Sequence, residues 1–343
     1  MRNASPTPRT AQEDDDFLAS VRAGLRRRPR TIPPKYFYDA HGSQLFDLIC
    51  TTPEYYPTRT ETGILERHGA EMAARIGASC VLIELGSGSA TKTPLLLQHL
   101  ADDAVYVPID ICEPHLLKST QRLQNMFPSM KMQPLCTDYH RLHAHALKRH
   151  AGRRHAVFFP GSTIGNCTPG NAVHLLRHAA KLVGPGGGLL IGVDCKKSPD
   201  TLHAAYNDAA GHTAAFNLNL LTRMQRELGA QLNATQFAHH AYYNEALGRI
   251  EMHLVSRCRQ EIRLGKESFT FDAGESIHTE NSYKYTAQEF QRLACAAGWQ
   301  PEKVWSDGDG WFNVHYLRAN QEMGARLSAL PARHGRCSPT PAG

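Results

Sequence analysis

The chain of 343 residues is 41% hydrophobic and 20% charged, enough to bury a sizeable core in one large or two modest domains. Its formal charge of +6 sits largely in local runs such as Arg26-Arg27-Arg28 and the tail around Arg326, Arg333 and Arg336, with no nucleic-acid fold signature, so no DNA or RNA partner is expected. No stretch approaches the roughly eighteen uncharged apolar residues of a membrane span, and the N-terminus lacks the apolar centre of a signal peptide, which makes the cytosol (cytoplasmic) the expected location.

In chain order, residues 1–11 are rich in Pro, Ser, Thr and Arg and are expected to lack fixed structure, as are residues 326–343. From Cys80 onward short apolar runs alternate with helical patterns, as βαβ units building a parallel sheet do. The expected strands are Cys80–Leu85, Ala104–Ile109, a weaker Met130–Leu135, His155–Phe159 and Gly188–Val193. Helices are expected over Pro94–Leu100, His115–Met126 and Asn171–Leu182. After Cys195 the rhythm breaks until about Tyr285, and a helix over Ala287–Ala297 with strands around Lys303–Trp305 and Phe312–Leu317 closes the sheet, the last strand antiparallel. The reading is an α/β fold in which residues 61–195 with 286–320 form the sheet domain and residues 12–60 with 196–285 form a second, smaller one.

The first expected strand runs into Gly86-Ser87-Gly88-Ser89-Ala90-Thr91-Lys92-Thr93, a glycine-rich turn at the carboxyl end of a strand, where open α/β sheets bind ligands. A dinucleotide fingerprint needs a third glycine where Thr91 stands, which disfavours NAD. A phosphate-binding loop needs its second glycine at the same place. The remaining class is S-adenosylmethionine, whose enzymes carry an acid before the turn, here Glu84, and another ending the next strand, here Asp110. That second carboxylate can accept from both ribose hydroxyls. Asp138, with Tyr139 beside it, can take the adenine amino group; a helix N-cap is the other reading of Asp138.

The fourth strand ends in Pro160-Gly161-Ser162-Thr163-Ile164-Gly165-Asn166, small and polar, where amino-group methyltransferases hold the nucleophile; Ser162 or Thr163 could equally cap the next helix. This loop, together with Pro33 to Glu61 (PPKYFYDAHGSQLFDLICTTPEYYPTRTE), Ala205 to Asn217 (AYNDAAGHTAAFN) and His278 to Thr286 (HTENSYKYT), resembles the histidine-specific Nα-methyltransferases of ergothioneine biosynthesis. The resemblance spans roughly residues 30–318 and implies a Rossmann-like methyltransferase sheet with an inserted substrate-binding domain. It implies that Gly86, Lys92, Asp110, Asp138 and Tyr139 bind S-adenosylmethionine, with Tyr38 nearby. It places Tyr55, Gly161, Asn166, Tyr206, Met252, Glu280 and Ser282 around histidine, with Tyr55, Gly161 and Asn166 at the reacting end. Tyr139 stands where the family commonly has Phe, and taking Tyr55 over its neighbour Tyr56 depends on the register of PEYYPT. Three methyl transfers, giving hercynine, follow from the resemblance alone.

The residue chemistry agrees. Asn166 and the Tyr206 hydroxyl are neutral donors suited to a carboxylate, and the Gly161 backbone can meet an amine. Glu280 and Ser282 stand at i and i+2, on one face of an extended stretch, where a carboxylate suits an imidazole N–H. Met252 reads as plain packing or as a pocket wall. Nine scattered cysteines at no metal-ligand spacing are expected to be free thiols, and none of the nineteen histidines falls in an HExxH pattern, so no metal is expected. The expected partner is a small amino acid, and the expected state a monomer. The rival readings are a sister enzyme acting on tryptophan or a derivative, a non-catalytic S-adenosylmethionine-binding protein and a P-loop nucleotide hydrolase.

Overall fold

The computed structural model describes residues 11–142, 150 and 152–321. The tails expected at 1–11 and 326–343 lie outside these residues, except for Ala11, which opens the first helix. The chain begins with α1 (Ala11–Arg26), β1 (Arg30–Thr31), α2 (Ala40–Ile49) and the long α3 (Tyr56–Ile76). Asp39 caps α2 by accepting from Gly42 N at 2.7 Å.

An alternating stretch follows: β2 (Val81–Leu85), α4 (Pro94–Leu97), β3 (Val105–Asp110), α5 (Glu113–Met126), β4 (Lys131–Met132), β5 (Leu135–Cys136), β6 (His155–Phe159), α6 (Pro169–Val183) and β7 (Gly188–Asp194). The strand expected over 130–135 is split at Gln133-Pro134 into two short pieces, since proline has no N–H for the ladder. The helix expected to reach Leu100 stops at Leu97, a single turn.

The next segment folds as α7 (Pro199–Tyr206), α8 (His212–Leu228), β8 (Phe237–Asn244), β9 (Arg249–Ser256), the hairpin β10 (Gln260–Leu264) and β11 (Glu267–Phe271), and β12 (Ser276–Tyr283). The chain closes with α9 (Ala287–Ala296), held by a Thr286–Glu289 capping box, then β13 (Trp299–Ser306) and β14 (Phe312–Ala319).

The large sheet runs β13-β14-β7-β6-β2-β3-β4, with β5 also on β3; β2 to β7 are parallel, and β14 is antiparallel to both of its neighbours. Strand β2 is buried along its whole length, sending Val81, Ile83 and Leu85 to one core and Leu82 to the other, as a sheet covered on both faces requires. From β2 the chain builds outward through β3 on one side and through β6 on the other. The order therefore reverses beside β2, and the carboxyl ends of β2 and β6 flank a crevice.

The second sheet runs β1-β12-β9-β8, so the N-terminal β1 lies parallel against β12 and completes a sheet made otherwise from residues after 196. Strand β12 carries a bulge between His278 and Glu280. The extra residue shifts the alternation by one, so that Ile277 before it and Glu280 and Ser282 after it are all buried while His278 and Asn281 are only half-buried.

Candidate active site

Strand β2 runs straight into a turn in which Gly86 and Gly88 take φ of +66° and +51°, left-handed values that would strain a side chain. Asp110, ending β3, faces this turn. Its two carboxylate oxygens accept from Gly88 N and Cys112 N, each at 2.9 Å, which fixes the group and leaves lone pairs for a ligand. Asp138 caps the turn after β5 through Oδ1, accepting from His140 N at 3.0 Å, while Oδ2 lies 3.4 Å from Lys35 Nζ; the cap and a place in the cavity wall coincide. The Tyr139 ring lies 3.8 Å from where a Cβ on Gly86 would stand. Glu84 is buried under the turn, accepting from the Tyr106 hydroxyl at 2.5 Å and Thr93 Oγ1 at 2.9 Å, and burial pushes its carboxyl up to about 7. These groups line a cavity of about 410 Å³ together with Tyr38, Tyr55, Lys92, Gly161 and Asn166. Its volume is that of a small-molecule site.

A smaller cavity of about 40 Å³ has Tyr38, Tyr55, Gly161 and Asn166 among the walls it shares with the first and is otherwise bounded by Ser162, Asp194, Tyr206, Glu280, Ser282 and Lys284. Of the shared walls, Gly161 and Asn166 come from the loop after β6, where Gly161 and Ser162 both take left-handed φ, +79° and +57°. Ser162 pays for that strain with a hydrogen bond, its Oγ accepting from Asp194 N at 2.9 Å. Neither Ser162 nor Thr163 caps the next helix; Thr168 does, accepting from Asn171 N. Of the two adjacent tyrosines, Tyr55 lines both cavities, whereas the Tyr56 hydroxyl turns away to donate to Asp194 at 2.8 Å. Met252 lines neither cavity. It is paired in register with Glu280 and packs in the core of the second sheet, one strand further from the ligand space.

In the wall of the smaller cavity stand Asp194 and Lys284, part of a charge cluster that sequence reasoning missed. Lys284 Nζ donates to Asp194 Oδ2 at 2.7 Å, Ser282 Oγ at 2.8 Å and the Tyr206 hydroxyl at 3.1 Å. Lys197 donates to the other Asp194 oxygen at 2.6 Å. Burial alone would favour a neutral Asp194, but the two lysines hold its carboxyl below the usual range. Burial pushes Glu280 up to about 7, with Lys284 opposing. Glu61 of α3, also missed, is buried and bonded to Lys92 and Gly161 N. Lys284 extends the Glu280, Ser282 alternation by one more step, a signal within reach of the sequence; Glu61 shows no such pattern.

A family model for histidine-specific, SAM-dependent methyltransferases matches residues 17–319. The chain belongs to this family. It is 39% identical over 310 residues to the histidine N-alpha-methyltransferase of Mycobacterium tuberculosis, covering 88% of this chain and 95% of that protein. The histidine N-alpha-methyltransferase of Mycolicibacterium smegmatis is 40% identical over 299 residues, 86% of this chain and 92% of that protein. Ergothioneine biosynthesis protein 1 of Neurospora crassa is 30% identical over 315 residues, which span 89% of this chain and 35% of that protein.

This methyltransferase therefore uses S-adenosylmethionine, and Thr91, standing where the two competing motifs need glycine, fits that cofactor. Cys50, Cys80, Cys112, Cys167, Cys195, Cys258 and Cys295 are free thiols, and Cys337 lies outside the described residues. Among the described residues, Glu251, His253 and His278 come close enough to share an ion. They lie apart from both cavities; Glu251 is already bonded by Arg249, Tyr242 and Asn244, and the two imidazoles are stacked at 4.9 Å. No described helix is long and apolar enough to cross a membrane.

Proposed function

We propose that this methyltransferase transfers the methyl group of S-adenosylmethionine to the α-amino nitrogen of L-histidine, three times in succession, giving hercynine for ergothioneine formation. The observation that carries the reading is the junction of the two cavities: a larger one edged by Gly86, Asp110 and Asp138 meets a smaller one ending in Glu280 and Ser282 at Tyr55, Gly161 and Asn166. In this reading Asp110 takes the ribose hydroxyls, Asp138 the adenine amino group and Tyr139 the ring face. Tyr38 and Lys92 complete the cofactor wall. Glu280 accepts from one imidazole nitrogen and Ser282 serves the other, which places the carboxylate near Asn166 and Tyr206 and the amine at Gly161.

A sulfonium methyl is already activated, so the bond to carbon forms from the amine lone pair as the sulfur keeps the electron pair of the bond that breaks. The protein's task is then orientation and, after the first and second transfers, loss of the surplus proton from the product ammonium to water; the third gives a quaternary ammonium with no proton to lose. The neutral groups Tyr55, Asn166 and the Gly161 backbone suit that task, since an acid at this point would hold the amine protonated. The naming of the mycobacterial relatives supports histidine, and that of the Neurospora crassa protein supports the pathway.

The test is to incubate the protein with S-adenosylmethionine and each standard amino acid and to weigh the products. Mono-, di- and trimethylated histidine are the expected species. Turnover of tryptophan with none of histidine would overturn the substrate, and a product that stops at one methyl group would overturn the count.

A further inference from the structure

Glu61 projects from α3 into the ground between the two cavities. It has no exposed surface, and both its oxygens accept from Gly161 N, at 2.8 and 3.1 Å. Lys92 Nζ donates to the same carboxylate. Across from it, on β7, a Cβ on Gly192 would come within 2.0 Å of Glu61 Oε1, so the sheet reserves room for this group. A carboxylate taken wholly out of water costs several kcal/mol unless a cation and donors meet it, and here Lys92 and the Gly161 amide do so. Both partners are cavity walls: Lys92 in the larger cavity, Gly161 in both.

We infer that Glu61 is a positioning residue that couples the two ligand sites, anchoring Lys92 on the cofactor side and the Gly161 loop on the substrate side. Because Glu61 occupies the Gly161 N–H, the carbonyl is the backbone group of Gly161 left for the amine. In the first two transfers an amine N–H donates to that carbonyl and its lone pair is left directed away from it, toward the methyl donor; the dimethylated amine of the third keeps only the lone pair. The anchor on Lys92 matters because a free lysine stem carries much rotamer entropy, which a ligand would otherwise have to pay for on binding.

The inference rests on the histidine reading for its substrate half and on the family's cofactor for the other. Glu61→Gln keeps an acceptor for Gly161 N but removes the charge facing Lys92; Glu61→Ala removes both. S-adenosylhomocysteine affinity is measured by calorimetry, and histidine affinity on the protein saturated with it. In Glu61→Gln, S-adenosylhomocysteine affinity is expected to fall about tenfold, the scale of one charge-assisted hydrogen bond, with histidine affinity held within about threefold. In Glu61→Ala both fall, and Gly192→Ala, which pushes the carboxylate from its seat, reproduces that pattern. Folded variants with a lower melting temperature but parental affinities for both ligands would overturn the inference; should Glu61→Ala fail to fold, the isosteric Glu61→Gln decides it alone. If the parent does not methylate histidine, the proposed substrate fails, and the S-adenosylhomocysteine measurement still sustains or overturns the anchoring of Lys92.

Discussion

The ammonium of Lys284 donates to Ser282 Oγ across 2.8 Å, deep in the molecule. Its other hydrogens go to Asp194 and to the Tyr206 hydroxyl, and that hydroxyl lies 2.7 Å from Ser282 Oγ. Both hydroxyls thus receive from a group that has no acceptor of its own, and one of their two protons closes the contact between them. One proton is left to point into the cavity, so the substrate meets a donor there. Lys284→Met frees this arrangement. Histidine affinity is expected to fall about 30-fold, roughly the 2 kcal/mol of a lost hydrogen bond to a charged group, while S-adenosylhomocysteine affinity stays within about twofold. Calorimetry on the folded variant reads both, and unchanged histidine binding would count against the arrangement.

Glu280 makes histidine binding depend on pH in a stated direction. Burial pushes its carboxyl up to about 7, with Lys284 opposing, so the empty site exchanges a proton near neutrality. Only the ionised form accepts an imidazole N–H without giving up a proton, so affinity should rise as pH passes upward through 7. The sign for stability is opposite: folding retains the proton between the ordinary value of 4.5 and about 7, so the contribution is full below 4.5 and lost above about 7. In Glu280→Gln the step in binding should vanish. The ratio of parent to variant affinity cancels histidine's own titration, and a ratio flat from pH 6 to pH 8 would refute the assignment.

How much of this was legible in the sequence divides along physical lines. Asp110 and the Gly86 turn were readable because a buried parallel strand must end in a tight turn, and chain order alone brings the ends of neighbouring strands together. Glu280 and Ser282 were readable as a pair by alternation, but not the β12 bulge at Thr279, which decides that both face the core; one extra residue leaves no mark in hydrophobic pattern. Asp194 and Glu61 were not readable as site residues. Glu61 has its cationic partner Lys92 31 positions away, and Asp194, although Lys197 stands three residues on, is tied to the ligand side through Lys284, 90 positions away, so only the packed fold shows where these charges meet.

Asp110 offers a cleaner test of the cofactor side. Both its oxygens accept backbone N–H groups, so Asp110→Asn must turn an NH₂ toward either Gly88 N or Cys112 N, setting donor against donor. The glycine turn then loses a fixed contact and the ribose loses an anionic acceptor. S-adenosylhomocysteine affinity should drop about 100-fold, some 3 kcal/mol for two weakened charge-assisted contacts. Intrinsic tryptophan fluorescence or calorimetry can follow it. A variant that binds the product as the parent does would remove Asp110 from the cofactor site.

His315 tests the core, away from the ligands. It lies on β14 with no exposed surface, its ring 4.8 Å from that of Phe290 and neither nitrogen hydrogen-bonded. Burial therefore pushes its pKa down to about 4 from an ordinary 6.5. Between those values the unfolded chain holds a proton that the folded chain does not, so stability rises with pH across this window and is lost as pH falls below 6.5. The loss at pH 4 is on the order of 3 kcal/mol, since each pKa unit is worth about 1.4. Phenylalanine replaces the ring with one that has no polar atoms to leave unmet, so His315→Phe should raise the melting temperature at pH 7 if the core accepts the slightly larger ring, and in any case flatten the acid limb by one proton. Urea titrations at pH 7, 6, 5 and 4 measure that slope, and an acid limb identical in parent and variant would show that the ring is not held neutral by burial.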